Sequence, residues 1–190
     1  MAVEATSARE GLSDLTRGLL RAVELLDWQG IVIPELDLLG DRVCIVASLY
    51  EPEHERRQAA GLHALADPWL LELDEGPSSE RQARWRASPV HLVGVLVWRR
   101  TWRSALTTAS GFAAFGARAV VLPREHARNR RLSLEAAVCG VGVIARDALE
   151  LQLLQPPTPV PATQARRSLV HRLIEERVYE RLLASLVSVG

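Results

Sequence analysis

Apolar residues in the first part of the chain change period. Leu12, Leu15, Leu19, Val23 and Leu26 recur every three or four residues, which predicts an amphipathic helix over residues 13–28, capped by Ser13 and stopped at Gly30. Residues 31–33 and 36–39 predict short extended pieces around Pro34, with Gly40-Asp41 as a turn. Residues 43–49 form an unbroken apolar run of strand length, the pattern of a strand covered on both faces. Pro52 then opens a predicted helix through residue 66, with Glu53 and Glu55 in its first turn, where the helix dipole favours acids. Residues 69–73 predict a short strand, followed by the breaker Glu75-Gly76-Pro77-Ser78 and a polar helical stretch over 81–86.

The clearest strand is Val90–Trp98. A helix rich in alanine, serine and glycine is predicted over 102–115, a strand over 119–122, a short helix over 132–138 and a final strand over 141–145. Strands alternating with helices predict an α/β fold: a single domain, residues 1–154, with a central mixed sheet flanked by helices. Residues 155–161 hold four prolines and predict a semi-stiff linker, set at 155–163. After it comes a C-terminal amphipathic helix, residues 164–190. Leu169, Leu173, Ile174, Val178, Leu182 and Leu186 form its apolar stripe, while Arg166, Arg167, Arg172, Glu175, Glu176 and Arg181 lie mainly off it. That stripe must be buried, either on the chain's own core or on a second subunit, so Leu169, Leu173, Val178 and Leu182 are the candidate interaction residues.

Composition narrows the picture. The chain has 190 residues, 48% of them apolar, and a chain of this size buries about 70% of its unfolded surface without a disulfide or metal staple. No apolar run reaches membrane-spanning length, and Glu4 and Glu10 interrupt any apolar leader, so the expectation is a cytoplasmic protein with no membrane partner. Cys44 and Cys139 both sit in apolar runs and are expected to be buried free thiols of a reducing compartment. All 23 basic residues are arginine, a bias that a GC-rich coding sequence explains. It nonetheless excludes Schiff-base lysines, P-loop lysines and lysine general bases. The net charge of zero hides an asymmetry: residues 1–80 hold sixteen acids and six arginines, residues 81–190 seven acids and seventeen arginines. Such polarity marks a nucleic-acid face, a head-to-tail contact between copies, or halves that neutralise each other on folding.

Two constellations carry chemistry. Glu35 and Asp37 share a face of an extended segment, as do Glu72 and Asp74; with Asp41 and Glu75 nearby, four carboxylates at strand ends supply the oxygen ligands of a Mg²⁺ site. The plainer reading is solvated strand ends. The second is Trp98-Arg99-Arg100-Thr101-Trp102-Arg103, joined by Arg124, Arg128, Arg130 and Arg131, where guanidinium groups can hold phosphates and indoles can stack on bases. Here the tryptophans read better as core anchors and the 124–131 loop as an exposed basic surface. The five histidines show no metal-ligand spacing. Neither Ser110-Gly111 nor Gly140-Val141-Gly142 makes a nucleophile elbow or a dinucleotide loop.

The order of these elements, with the helix over 13–28, the segment Glu35-Leu36-Asp37, the strand Arg42-Val43-Cys44-Ile45-Val46-Ala47 and the later stretch 91–145 ending GVGVIA, resembles the restriction-endonuclease-like PD-(D/E)XK superfamily. The resemblance implies an αβββαβ core and Mg²⁺-dependent cutting of DNA or RNA. It also implies a metal-binding aspartate where this chain has Cys44. If residues 69–74 are the Glu-x-Lys strand, Glu72 is kept and the lysine becomes Asp74; if residues 93–98 are, the pair falls on Leu96 and Trp98. The lysine that would assist the attacking water is lost either way, and aspartate would reverse its electrostatics. The expectation is therefore a degenerate, non-catalytic member with no cofactor, serving as a nucleic-acid-associated or partner-binding subunit. The alternatives are a Mg²⁺-dependent nuclease using Glu35, Asp37, Glu72 and Asp74, and a self-assembling scaffold in which the acidic half of one copy meets the basic half of the next.

Overall fold

Ser13 starts the first helix as expected, its Oγ accepting the Thr16 N–H at 3.2 Å. The computed structural model describes residues 13–62, 64, 88–148, 150–159 and 169–187. Helix α1 (Asp14–Leu25) buries Leu19, Ala22 and Val23 on one stripe. Strands β1 (Ile31–Leu38) and β2 (Asp41–Leu49) form one hairpin, not the separate pieces predicted around Pro34. Proline has no N–H to give a ladder, so the pairing slips between Ile33 and Leu36 and resumes beyond it on this edge strand. Leu39 and Gly40 alone make the turn, both at positive φ, the backbone that suits a two-residue hairpin between twisted strands.

Helix α2 (Glu51–Ala59) ends seven residues before the predicted stop at 66, because Gly61 takes the left-handed conformation and the Leu62 N–H bonds back to the Arg57 carbonyl. The strand expected over 69–73 and the helix over 81–86 lie outside the described residues. The chain continues with β3 (Val90–Trp98), α3 (Trp102–Gly111), β4 (Ala117–Pro123), the single turn α4 (Arg124–Ala127), α5 (Arg130–Cys139), β5 (Val141–Arg146), β6 (Leu151–Gln155) and α6 (Leu169–Val187). Strand β6 is absent from the sequence reading. Its five residues, LQLLQ, are bounded by the Asp147–Glu150 turn and by Pro156 and carry no β-branched or aromatic side chain to mark a strand.

The six strands form one mixed sheet in sequence order, within a single α/β domain. Strands β1, β2 and β3 are antiparallel, β3, β4 and β5 parallel, and β6 antiparallel again. Both parallel crossovers step in the same direction, so right-handed connections put α3 and α5 on one face. Ala105, Ala109, Phe112, Leu132 and Ala136 there meet Val95, Val97, Val120 and Leu122, and α6 adds Ile174, Val178, Tyr179 and Leu182. On the other face α1 lies over Cys44, Val46, Leu96, Ala119, Val121 and Ile144. Among the described residues no helix is long and apolar enough to cross a membrane.

Three expectations need correction. Val178 and Leu182, offered as partner-binding residues, are fully buried within the chain's own core, while Leu169 and Leu173 are half-buried. Arg172 and Glu176, assigned to the solvent side of that helix, are buried as well, for a reason given below. Cys139 is exposed: it is the last residue of α5, where the chain turns out through the left-handed Gly140. Cys44 is buried, and desolvation pushes its thiol up to about 12. A thiol-specific disulfide reagent at neutral pH is therefore expected to titrate one cysteine of the native protein rapidly and the second only on unfolding.

Candidate nucleic-acid interface

The antiparallel register of β2 and β3 sets Cys44 opposite Leu96. Residues 94, 96 and 98 alternate onto the face covered by α1. The side chains at the aspartate and Glu-x-Lys positions, on the reading that uses residues 93–98, are thus Cys44, Leu96 and Trp98, gathered beneath one helix. Cys44 is 2% exposed and Leu96 not at all. Trp98 rests on Gly18 of α1, where an added Cβ would come within 2.8 Å of the indole. What remains is a cleft of about 160 Å³ whose walls include Leu15, Glu35, Cys44, Leu96, Trp98 and Arg99.

The carboxylates do not converge there. Glu35 and Asp37 are exposed on the edge strand, and Asp37 accepts from Arg42 Nε at 3.3 Å. Asp41 takes the Arg99 guanidinium at 3.1 Å and the Thr108 hydroxyl at 2.9 Å, which ties the start of β2 to α3. Glu72 and Asp74 lie outside the described residues. Among the described residues no group of three His, Cys, Asp or Glu side chains is placed to hold a metal.

The arginines do gather. Strands β3, β4 and β5 run parallel and end at one edge of the sheet, and each is followed or closed by arginine: Arg99 and Arg100, Arg124, and Arg146. Arg103 in the first turn of α3, Arg128 after α4, and Arg130 and Arg131 at the start of α5 extend that edge. Three of the seven arginines singled out in the sequence have internal work. Arg99 binds Asp41 and the carbonyls of Arg42 and Trp98, Arg124 binds Asp147 at 2.9 Å, and Arg131 binds Glu135 at 2.8 Å. Arg100, Arg103, Arg128 and Arg130 are exposed and have no ion-pair partner among the described residues. Arg103 lies over the Trp102 ring at 5.4 Å, and Trp102 itself packs against the core.

Family models, curated proteins and solved structures were all compared with the chain, and none matches it.

Sequence reasoning missed the other charged cluster. Arg57 donates to both carboxylate oxygens of Glu176, at 2.8 and 2.7 Å, and to Glu53 at 2.9 Å; Arg172 pairs with Glu176 at 2.9 Å. All four side chains are buried. Burial opposes ionisation of Glu53, but the hydrogen bonds and charges of Arg56 and Arg57 outweigh it and hold its carboxyl below the ordinary value. For Arg57, burial is likewise outweighed by Glu176 and Glu53, and the guanidinium is held above its ordinary value. His54 Nδ1 and the Tyr179 hydroxyl share a hydrogen bond of 2.9 Å beside this cluster. The available signal was the i, i+4 spacing of Glu53 with Arg57 and of Arg172 with Glu176. The network joins α2 to α6 and clamps rather than catalyses. With the Asp41–Arg99 pair, it also links the acidic and basic halves within one chain.

Proposed function

We propose that this protein is a non-catalytic relative of the restriction-endonuclease-like nucleases that binds nucleic acid along the arginine-bearing edge of its sheet. The observation that carries the reading is the buried Cys44–Leu96 pair. Two adjacent positions that the resemblance assigns to metal ligands are packed as apolar core, and neither offers an oxygen to a hard cation. The run α1-β1-β2-β3-α3-β4, an antiparallel meander followed by a parallel strand, supports the resemblance, with α2 inserted between β2 and β3. Arg100, Arg103, Arg128 and Arg130, which have no ion-pair partner among the described residues, supply the phosphate contacts; Arg99 and Arg124 stiffen the edge that presents them. The free thiols fit a cytoplasmic setting.

Titrating labelled single-stranded and duplex oligonucleotides against salt tests both halves of the reading. Affinity is expected to fall steeply with salt for both DNA and RNA, with no cutting in Mg²⁺ or Mn²⁺. Replacing Arg100, Arg103 and Arg128 by glutamine together is expected to flatten the duplex log–log slope by about 2–3. Absence of binding at low salt rejects the interface, and metal-dependent cutting rejects the non-catalytic assignment.

A further inference from the structure

Between the N-terminal half of α1 and the β5–β6 turn lies a cleft of about 650 Å³ that the arginine edge runs into. It opens at the C-terminal ends of the strands, where open α/β sheets place their ligands. Arg146, the last residue of β5, lines it. Its guanidinium lies over the Trp98 ring, 5.2 Å from the centroid, and its buried Nε has no hydrogen-bond acceptor among the described residues. Among the described residues the ring, and not a hydrogen-bond acceptor, holds this guanidinium, so hydrogen-bonding capacity is left unspent there. Gly18 makes the arrangement possible, since a side chain there would push against the indole on which Arg146 rests.

Arg21 stands on the same wall, one turn beyond Arg17; it is exposed and without an ion-pair partner among the described residues. Two of the cleft's acids are already neutralised, Asp14 by Arg17 at 3.0 Å and Asp147 by Arg124 at 2.9 Å. The side chains with charge to spare are therefore Arg21, Arg146 and Glu150, two cations against one anion.

We infer that this cleft seats a phosphate ester, with Arg146 as the pre-positioned inner donor and Arg21 as the outer one. Carried on a nucleic-acid strand, the ester would fix where the strand enters the edge; this source rests on the interface proposed above. Two guanidinium groups lining one cleft suit a tetrahedral oxyanion better than a planar carboxylate held by one fork. The same chemistry would accept a free nucleotide, and the test separates the two sources.

The full-length protein is titrated with inorganic phosphate, with a nucleoside monophosphate and with a short single-stranded oligonucleotide, following tryptophan fluorescence. Trp98 reports on Arg146, and Trp98→Phe identifies its share of the signal. A saturable change with each ligand, weakened several-fold in Arg21→Gln and in Arg146→Gln, is expected. Arg21 is a surface residue, so its variant retains the fold even if the Arg146 variant does not. For the oligonucleotide, each variant should flatten the salt slope by about 0.7. Strand binding left unchanged by both variants overturns the phosphate seat and leaves the edge interface standing. Nucleotide binding that both variants weaken, with no strand binding by the parent protein, keeps the seat and rejects the interface. No response to any of the three ligands rejects the seat.

Discussion

Replacing Glu176 by alanine is expected to destabilise the protein by roughly 3–5 kcal/mol, the cost of stranding a buried charge without its counter-ion. Glu176 is fully buried, accepts hydrogen bonds from both Nη atoms of Arg57 and pairs with Arg172 at 2.9 Å. Its removal leaves two guanidinium groups, 2% and 4% exposed, with Glu53 as the anion left beside Arg57. Burial already pulls Arg172 below its ordinary value, and the substitution removes the Glu176 charge, the largest influence raising it, leaving the weaker pull of Glu175 and Glu53. Urea unfolding at neutral pH gives the loss directly. A surface pair is the control: Arg17 and Asp14 are mostly exposed, and Asp14→Ala should cost under about 1 kcal/mol.

The same network sets an acid limit. The carboxyl of Glu53 is depressed in the folded state, so its contribution is complete above the ordinary glutamate value of about 4.3 and disappears as pH falls through the lower native value. Stability measured by urea at successive pH values should therefore fall below about pH 4, with a shallower fall in Glu53→Gln. A parent protein and a Glu53→Gln variant with identical acid profiles would remove Glu53 as the sensing group.

How much of this was legible in the sequence follows from which interactions are local. The start of α1 and the strands β2, β3 and β5 are written in nearby residues: Ser13 caps, Gly40 turns, and the runs 43–49 and 90–98 alternate onto two covered faces, although α1 ends at Leu25, three residues before the expected end at 28. Helix α6 was legible as a helix, but its buried face was misread. The rule that charges stay outside fails where Arg57, 119 residues away in sequence, brings a matched fork to Glu176. Which arginines are free was equally invisible. Arg99 and Arg100 are neighbours of identical chemistry, and only the approach of Asp41, 58 residues earlier, commits the first and leaves the second exposed. The Glu-x-Lys position had two alternatives in the sequence. The β2–β3 register places residues 96 and 98 on the face of Cys44, while residues 72 and 74 lie outside the described residues.

Placing an acid at Leu96 tests whether the apolar pair is core or merely conceals a metal pocket. Leu96→Glu is expected to cost about 4 kcal/mol or more, enough to unfold a domain of ordinary stability, because the carboxylate would enter a fully buried site, and the arginines of the adjoining cleft, Arg42 and Arg99, are already paired with Asp37 and Asp41. Leu96→Met keeps the volume and should cost under about 1.5 kcal/mol. Cys44→Asp should fall between the two, because both positions border the 160 Å³ cleft but the shorter aspartate side chain displaces less of the packed core than glutamate. Thermal unfolding of the three variants, with and without Mg²⁺, separates the possibilities. If α1 and the sheet are closed over this pair, the double variant Cys44→Asp, Leu96→Glu stays unfolded or badly destabilised at every Mg²⁺ concentration. If the double variant folds and its melting temperature climbs with Mg²⁺, the scaffold retains a cation site beneath α1, two substitutions away from occupancy. The loss of catalysis proposed for this protein would then lie in its side chains alone and not in the closing of the fold around them.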